Sequence, residues 1–168
     1  MEIGNGEERG HARGKYTDIL DPMKVVARNK RARFDYEILE ELEAGMILMG
    51  QEVKSIRAGN ADLKGAYVSF VSGKPVLKNS TIQPYRYASN LTDYDPGRDR
   101  ELLLRKTELE KLRVASEEKG IAVLPLEFRA ARMIKVLLGV GRGRKKIDKR
   151  KRIKEREVEK KIRKGEEY

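Results

Sequence analysis

The sequence predicts a mainly β protein: an OB-type closed antiparallel β-barrel with two or three short helices, plus a flexible basic C-terminal tail. Three observations carry this. Several short runs alternate apolar and polar residues and are separated by turn residues, the pattern of small antiparallel folds. Only two stretches have helical periodicity, too few to alternate with strands as a parallel sheet requires. From Arg142 to Tyr168 there are 14 Lys or Arg against six Asp or Glu, so this stretch carries +8 of the net charge of +11. So few apolar side chains cannot offset the entropy of ordering, and the tail is expected to be disordered alone. The predicted organisation is 1–24 as a flexible extension, 25–141 as the barrel and 142–168 as the tail.

The first fourteen residues hold four glycines, and residues 1–28 balance five acidic against five basic groups. Met23 to Ala27 reads as a short extended piece. Phe34, Tyr36 and Ile38 alternate with Asp35 and Glu37, predicting a strand to about Glu43 that Ala44-Gly45 interrupts. Leu48, Met49, Glu52, Val53, Ile56 and Arg57 follow helical spacing, and Gly59 suits a C-terminal cap, predicting a helix from Gly50 to Ala58. Residues 67–71 and 76–78 read as a hairpin about Ser72-Gly73-Lys74. A further extended piece is expected at 82–87, then a polar loop broken by Pro96-Gly97. Thr107 and Glu110 suggest a capping box opening a second helix, which Gly120 stops. Residues 121–130 and 131–141 read as two strands, Pro125 marking the first as edge or bulged.

Composition excludes several functions. With no cysteine, disulfides and thiolate metal sites are impossible, and the single histidine, His11, leaves little for zinc or imidazole chemistry. No catalytic group, metal site or cofactor is predicted. No phosphate-loop, dinucleotide or zinc-protease motif occurs. GVGRGRKK resembles a phosphate loop only superficially and reads as a hinge between strand and tail. No apolar run approaches the ~20 residues that span a bilayer, and the start lacks a signal-peptide core, so a cytoplasmic protein with no membrane partner is expected.

The basic residues favour RNA. Arg28, Lys30, Arg31 and Arg33 cluster before the first predicted strand, Lys54 and Arg57 lie one turn apart, and Arg98, Arg100, Arg105 and Lys106 bracket Leu102–Leu104. A barrel with such patches and a polycationic arm suits folded RNA, which is recognised through shape, phosphates and stacking. Composition alone equally fits a basic OB-fold ribosomal protein or a general RNA chaperone.

Six motifs in order separate these readings: AsnLysArgAla at 29–32, GluAlaGly at 43–45, GluValLysSer-x-Arg at 52–57, ProGlyArg-x-Arg-x-LeuLeuLeu at 96–104, Gly-x-Lys at 143–145 and AspLysArg at 148–150. Together they resemble the small protein B family of bacteria, over roughly residues 29–156. The resemblance implies an OB-type barrel that is not an enzyme. It implies binding to the tRNA-like domain of transfer-messenger RNA and entry with it into stalled ribosomes. There the tail becomes helical along the small-subunit decoding centre and vacant message channel. Elongation factor Tu and alanyl-tRNA synthetase act on the same RNA.

Carried over by position, the RNA-facing residues are Asn29, Lys30, Glu43, Arg57, Leu103 and Arg105, joined by the neighbouring cations Arg31, Lys54, Arg100 and Lys106. Lys30 and Arg57 suit phosphates, Glu43 a base edge or sugar hydroxyl, and Leu103 an unstacked base. In an extended run of three leucines one must face outward. Arg57 has an equal claim to pair with Glu52 or Glu43. The ribosome-facing tail residues are Gly143, Arg144, Lys145, Ile147, Asp148, Lys149 and Arg150. Two departures matter. Phe34 stands where the family often has His and still offers a ring. Ile147 stands where the family usually has Tyr or His; it cannot stack, and a base–aromatic contact is worth about 1–3 kcal/mol.

Overall fold

A computed structural model describes residues 23–89 and 93–163. The strands are β1 (Lys24–Arg28), β2 (Tyr36–Met46), β3 (Ala61–Asp62), β4 (Tyr67–Val71), β5 (Lys74–Lys78), β6 (Thr81–Ile82), β7 (Arg100–Leu103), β8 (Ile121–Ala130) and β9 (Ile134–Gly143). The helices are α1 (Lys30–Asp35), α2 (Gly50–Arg57), α3 (Lys106–Glu117) and α4 (Lys146–Arg163). Seven strands form one antiparallel sheet in the order β1-β8-β9-β2-β7-β5-β4, and β3 pairs with β6. The fold is therefore mainly β, as predicted. Barrel closure is not among the observed pairings, which leave β1 and β4 as the two edges.

The long strands β8 and β9 are buried on both faces. One face meets the main core, where Ile56, Leu77, Ile82, Phe128, Val136 and Leu138 lose all contact with water. The other meets a smaller cluster of Ala32, Leu124, Leu126 and Leu137, against which Tyr36 and Ile38 pack. Two covered faces explain why these strands read as near-continuous apolar runs.

The predicted strand at Arg33–Glu43 is displaced by α1. Asn29 Oδ1 accepts from Ala32 N–H at 3.0 Å and so starts a helix through Phe34 and Asp35. The alternation of Phe34, Tyr36 and Ile38 thus straddles a helix end. β2 then runs through Ala44-Gly45 instead of stopping there. Gly45 pairs with Lys135 on one side and Leu103 on the other, and a Cβ added to it would lie 3.3 Å from Leu103 Cβ. The glycine serves close strand approach, not a break.

Later elements hold with shifts. The hairpin turn is two residues, Ser72 and Gly73, at φ of 50° and 78°, so Lys74 belongs to β5. The extended piece at 82–87 shrinks to Thr81–Ile82, and β7 follows the polar loop as a strand of its own. The Thr107–Glu110 box does not form: α3 begins at Lys106, where Glu108 accepts from Arg105 N–H at 3.0 Å, while Glu110 pairs with Arg113. Pro125 lies at a bulge, as one of the two readings held, but β8 is not an edge strand, having β1 and β9 as neighbours. β1 pairs only with Glu127–Ala130; beyond it Asn29 takes over, its N–H bonding to Leu126 O and its Nδ2 to Pro125 O.

The glycine run 139–143 is not a hinge. It lies inside β9, where a Cβ on Gly139 would come within 2.8 Å of Leu126 Cδ1 and one on Gly141 within 3.0 Å of Tyr36 Cβ. These glycines let the smaller cluster sit against the sheet. Arg142 and Gly143 pair with Glu37 and Tyr36, so the body extends two residues past the boundary expected at 141. From Lys146 the chain is helical to Arg163. The extension 1–22 lies outside the described residues.

Candidate nucleic-acid interface

Adjacency of β2 with β7 and β9 assembles a groove. Leu102 is buried, whereas Leu103 is 52% exposed, so the outward-facing leucine expected in this run is Leu103. It sits opposite Gly45 on β2, and Lys135 sits opposite Gly45 from the other side. Glu43, Leu103, Arg105 and Lys135, with Lys111 of α3, line an open groove of about 750 Å³ between the sheet and α3.

The charges there are arranged. Glu43 accepts from Arg129 Nη1 at 2.9 Å and from Lys135 Nζ at 3.1 Å. Partial burial works to raise the Glu43 carboxyl, but hydrogen bonds from Lys135 and Arg129 outweigh it and hold the group below its ordinary value. Glu43 therefore stays ionised, pairing with Arg129 and with Lys135 of the groove lining while keeping further lone pairs for a ligand donor. Arg105 and Lys106, both exposed, stand at the N-terminal end of α3. Cations there add to the positive end of the helix dipole, and Glu108 in the first turn, accepting from Arg105 N–H, offsets part of it.

Other predicted residues are scattered around this groove. Lys30 and Arg31 are exposed on α1, Arg31 Nε bonding Asp35 at 3.2 Å. Lys54 and Arg57 are exposed on α2. Lys54 Nζ lies 5.5 Å from the centre of the Tyr85 ring. Arg57 Nη2 donates to Arg132 O at 3.0 Å, not to Glu52 or Glu43.

Two residues of the predicted RNA-facing set are buried in this structure. Asn29 is buried, caps α1, and donates through Nδ2 to Leu63 O and Pro125 O at 2.9 and 3.0 Å. Its polar atoms are committed to joining β8, α1 and the turn after β3. Arg100 has no exposed surface; its guanidinium bonds Glu52, Ser80, Arg98 O and Pro96 O. A basic residue in sequence looks the same whether it meets solvent or a buried carboxylate.

In the tail, Gly143 ends β9, Arg144 N–H bonds Asp35 O at 2.9 Å, and Lys145, Asp148 and Arg150 are exposed. Lys149 Nζ lies 2.8 Å from Asp35 Oδ1, and a hydrogen bond from Lys149, ahead of the opposing effect of burial, holds that carboxyl below its ordinary value. Arg152 reaches Arg33 O at 3.3 Å, and Arg156 lies 5.3 Å over the Phe34 ring. The first turns of α4 are thus fastened to α1. The side chain of Ile147 lies outside the described residues.

Sequence reasoning missed Arg129 and Lys135. Their only signal was a charge within an apolar strand, and that says nothing about which strand lies alongside. Among the described residues no carboxylate or histidine group is arranged to hold a metal, and no helix is long and apolar enough to cross a membrane.

Comparison with known proteins bears on this groove and tail together. The family model described as SmpB protein matches residues 26–167. The SsrA-binding protein of Synechococcus sp. (strain JA-3-3Ab) is 48% identical over 145 residues, covering 85% of this chain and 94% of its own. That of Lactobacillus acidophilus is 44% identical over 140 residues, covering 83% and 92%. A solved structure described as "tmRNA-SmpB: a journey to the center of the bacterial ribosome" is 45% identical with a TM-score of 0.61, covering 74% of this chain and 86% of that one. Body and basic tail fall inside one continuous family match, and the chain belongs to the SmpB family.

Proposed function

We propose that this protein binds the tRNA-like domain of transfer-messenger RNA and delivers it to stalled ribosomes for trans-translation. The observation that carries the reading is the convergence of Glu43, Leu103, Arg105 and Lys135 in one open groove on a chain of the SmpB family. Lys135, Arg105 and Lys106 hold phosphates, Glu43 accepts from a base edge or 2′-hydroxyl, and Leu103 packs against an unstacked base. Lys30, Arg31, Lys54 and Arg57 widen the cationic surface.

The body acts as an OB-type barrel, a reading supported by β4 packing next to β8 although the two are not hydrogen-bonded. The tail from Arg144 enters the decoding centre and message channel of the small subunit, where Lys145, Asp148, Lys149 and Arg150 meet ribosomal RNA. The basic tail at 142–168, disordered alone in this reading, takes the helical form of α4 on the ribosome. The protein works in the cytoplasm as a binding factor and not as an enzyme, with elongation factor Tu and alanyl-tRNA synthetase acting on the same RNA.

Filter binding tests the proposal. The protein should prefer transfer-messenger RNA to an ordinary tRNA in a salt-tolerant way, and Leu103→Asp should abolish the preference without changing the melting temperature. Equal affinity for all RNAs, collapsing steeply with salt, would instead indicate a ribosomal protein or general RNA chaperone. Truncation after Lys145 should retain RNA binding and lose tagging on stalled ribosomes.

A further inference from the structure

We propose a second RNA site away from the groove: Tyr85 and Tyr87, with Lys54, Arg86 and Gln51, form a platform that stacks an unpaired nucleotide. The segment after β6 is not a strand, yet it is anchored. Ser55 Oγ donates to Gln83 O at 2.5 Å, Gln83 N–H to Asn60 O at 2.9 Å, and Ala88 N–H to Tyr85 O at 2.9 Å, closing a turn. That turn presents two aromatic rings edge to face, 5.6 Å between centres and 67° between planes. Tyr87 is 75% exposed, the highest exposure among the large apolar and aromatic side chains described.

Each ring carries a cation. Lys54 Nζ lies 5.5 Å from the Tyr85 centre, and Arg86 Cζ lies 5.8 Å from that of Tyr87. Exposed aromatic rings interleaved with cations are what single-stranded nucleic acid uses, the rings for the bases and the cations for the phosphates. The rings border a cleft of about 300 Å³ lined by Gln51, Lys54, Tyr85, Tyr87, Ala88 and Ser89, with no carboxylate among them. The first groove, by contrast, is lined by four glutamates, Glu40, Glu41, Glu43 and Glu108. The side-chain oxygen of Gln51 is buried in this lining without a hydrogen-bond partner, an acceptor that a base amino group would satisfy. An apolar protein partner would find few apolar neighbours here, whereas a nucleotide finds ring, cation and amide together. The two clefts share no residue, so this site is separate from the groove of Glu43 and Leu103, and only Lys54 also belongs to the wider cationic surface proposed for transfer-messenger RNA.

The test uses the full chain and an eight-nucleotide oligoadenylate carrying 2-aminopurine, whose fluorescence is quenched on stacking. Tyr87→Ala should weaken oligonucleotide binding about tenfold and remove the quench, a loss within the range of one base–aromatic stack. Tyr87→Phe should bind as the parent does, because the ring and not the hydroxyl is used. Tyr87→Ala should keep the preference for transfer-messenger RNA that Leu103→Asp abolishes, so the two proposals fail separately. Unchanged affinity and quench in Tyr87→Ala, or equal losses in Tyr87→Phe and Tyr87→Ala, would overturn the site. Tyr87 is too exposed for its truncation to unfold the protein, and an unshifted melting curve checks this.

Discussion

Arg100 and Glu52 form an ion pair from which water is excluded: Arg100 Nη2 lies 2.9 Å from Glu52 Oε1, and neither side chain is exposed. Arg98 bonds the other carboxylate oxygen, Met49 N–H donates to it at 2.8 Å, and Tyr94 OH donates to Ile82 O at 2.8 Å nearby. This network ties α2 to β7 through the loop that precedes it. Removing one partner from a buried pair leaves the other charge uncompensated, which costs about 3–5 kcal/mol. Glu52→Gln should therefore lower stability in urea unfolding by about that amount. A loss under 1 kcal/mol would show the pair to be replaceable.

The same carboxylate sets a pH dependence. Burial works to raise Glu52, but hydrogen bonds from Arg98 and Met49 N–H and the charge of Arg100 outweigh it, leaving the group below its ordinary value of 4.5. The unfolded chain therefore takes up this proton at higher pH than the folded one. Stability is full above pH 4.5 and is lost as the pH falls through the folded value. Glu43 and Asp35 are shifted in the same direction and add to the slope. The midpoint of thermal unfolding should fall steeply below about pH 4.5 in the parent, and less steeply in Glu52→Gln; parallel curves would remove Glu52 as a cause.

Asn29 stands in the first family motif yet faces inward. Asn29→Ala removes the cap of α1 and leaves Leu63 O and Pro125 O without their donor. A lost cap costs about 1 kcal/mol and each orphaned buried acceptor about 1–3 kcal/mol. The expected outcome is a loss of at least about 2 kcal/mol in chemical denaturation. RNA affinity should be retained at temperatures where the variant is folded. Weakened RNA binding with unchanged stability would return Asn29 to the interface.

The tail gives the last prediction. Glu157 to Lys161 and Glu159 to Arg163 are favourable i, i+4 pairs, each worth a few tenths of a kcal/mol. Such pairs do not overcome helix nucleation in a short segment, so a 142–168 peptide should show little helix by circular dichroism in plain buffer. A stable helix there would overturn the expectation. Ile147→Tyr, which restores a ring ahead of AspLysArg, should tighten association with stalled ribosomes about tenfold if that position stacks on a base.

Part of the candidate groove is legible in local sequence. Glu43, Leu103 and Arg105 could be chosen because their motifs occur in order, and the outward turn of Leu103 follows from alternation along an extended chain. The burial of Arg100 and Asn29 is not legible there because burial is not local: Arg100 meets a glutamate 48 residues earlier, and Asn29 a carbonyl 96 residues later. α1 was missed for a related reason, since a helix of six residues has too short a period to compete with the alternation that follows it.

By itself the sequence determined the charge of the tail, the strand-rich body, the absence of thiolate chemistry and the order of the family motifs, all of which depend on residue type and short-range spacing. Only the tertiary structure decided which cations are free. Pairing of β2 with β7 and β9 brings Glu43 to Lys135 and Leu103, while the buried carboxylate of Glu52 withdraws Arg100 from the surface and ties down Arg98 at its edge. A charge is worth little in water and much in a low-dielectric interior, so its role is set by what folds around it.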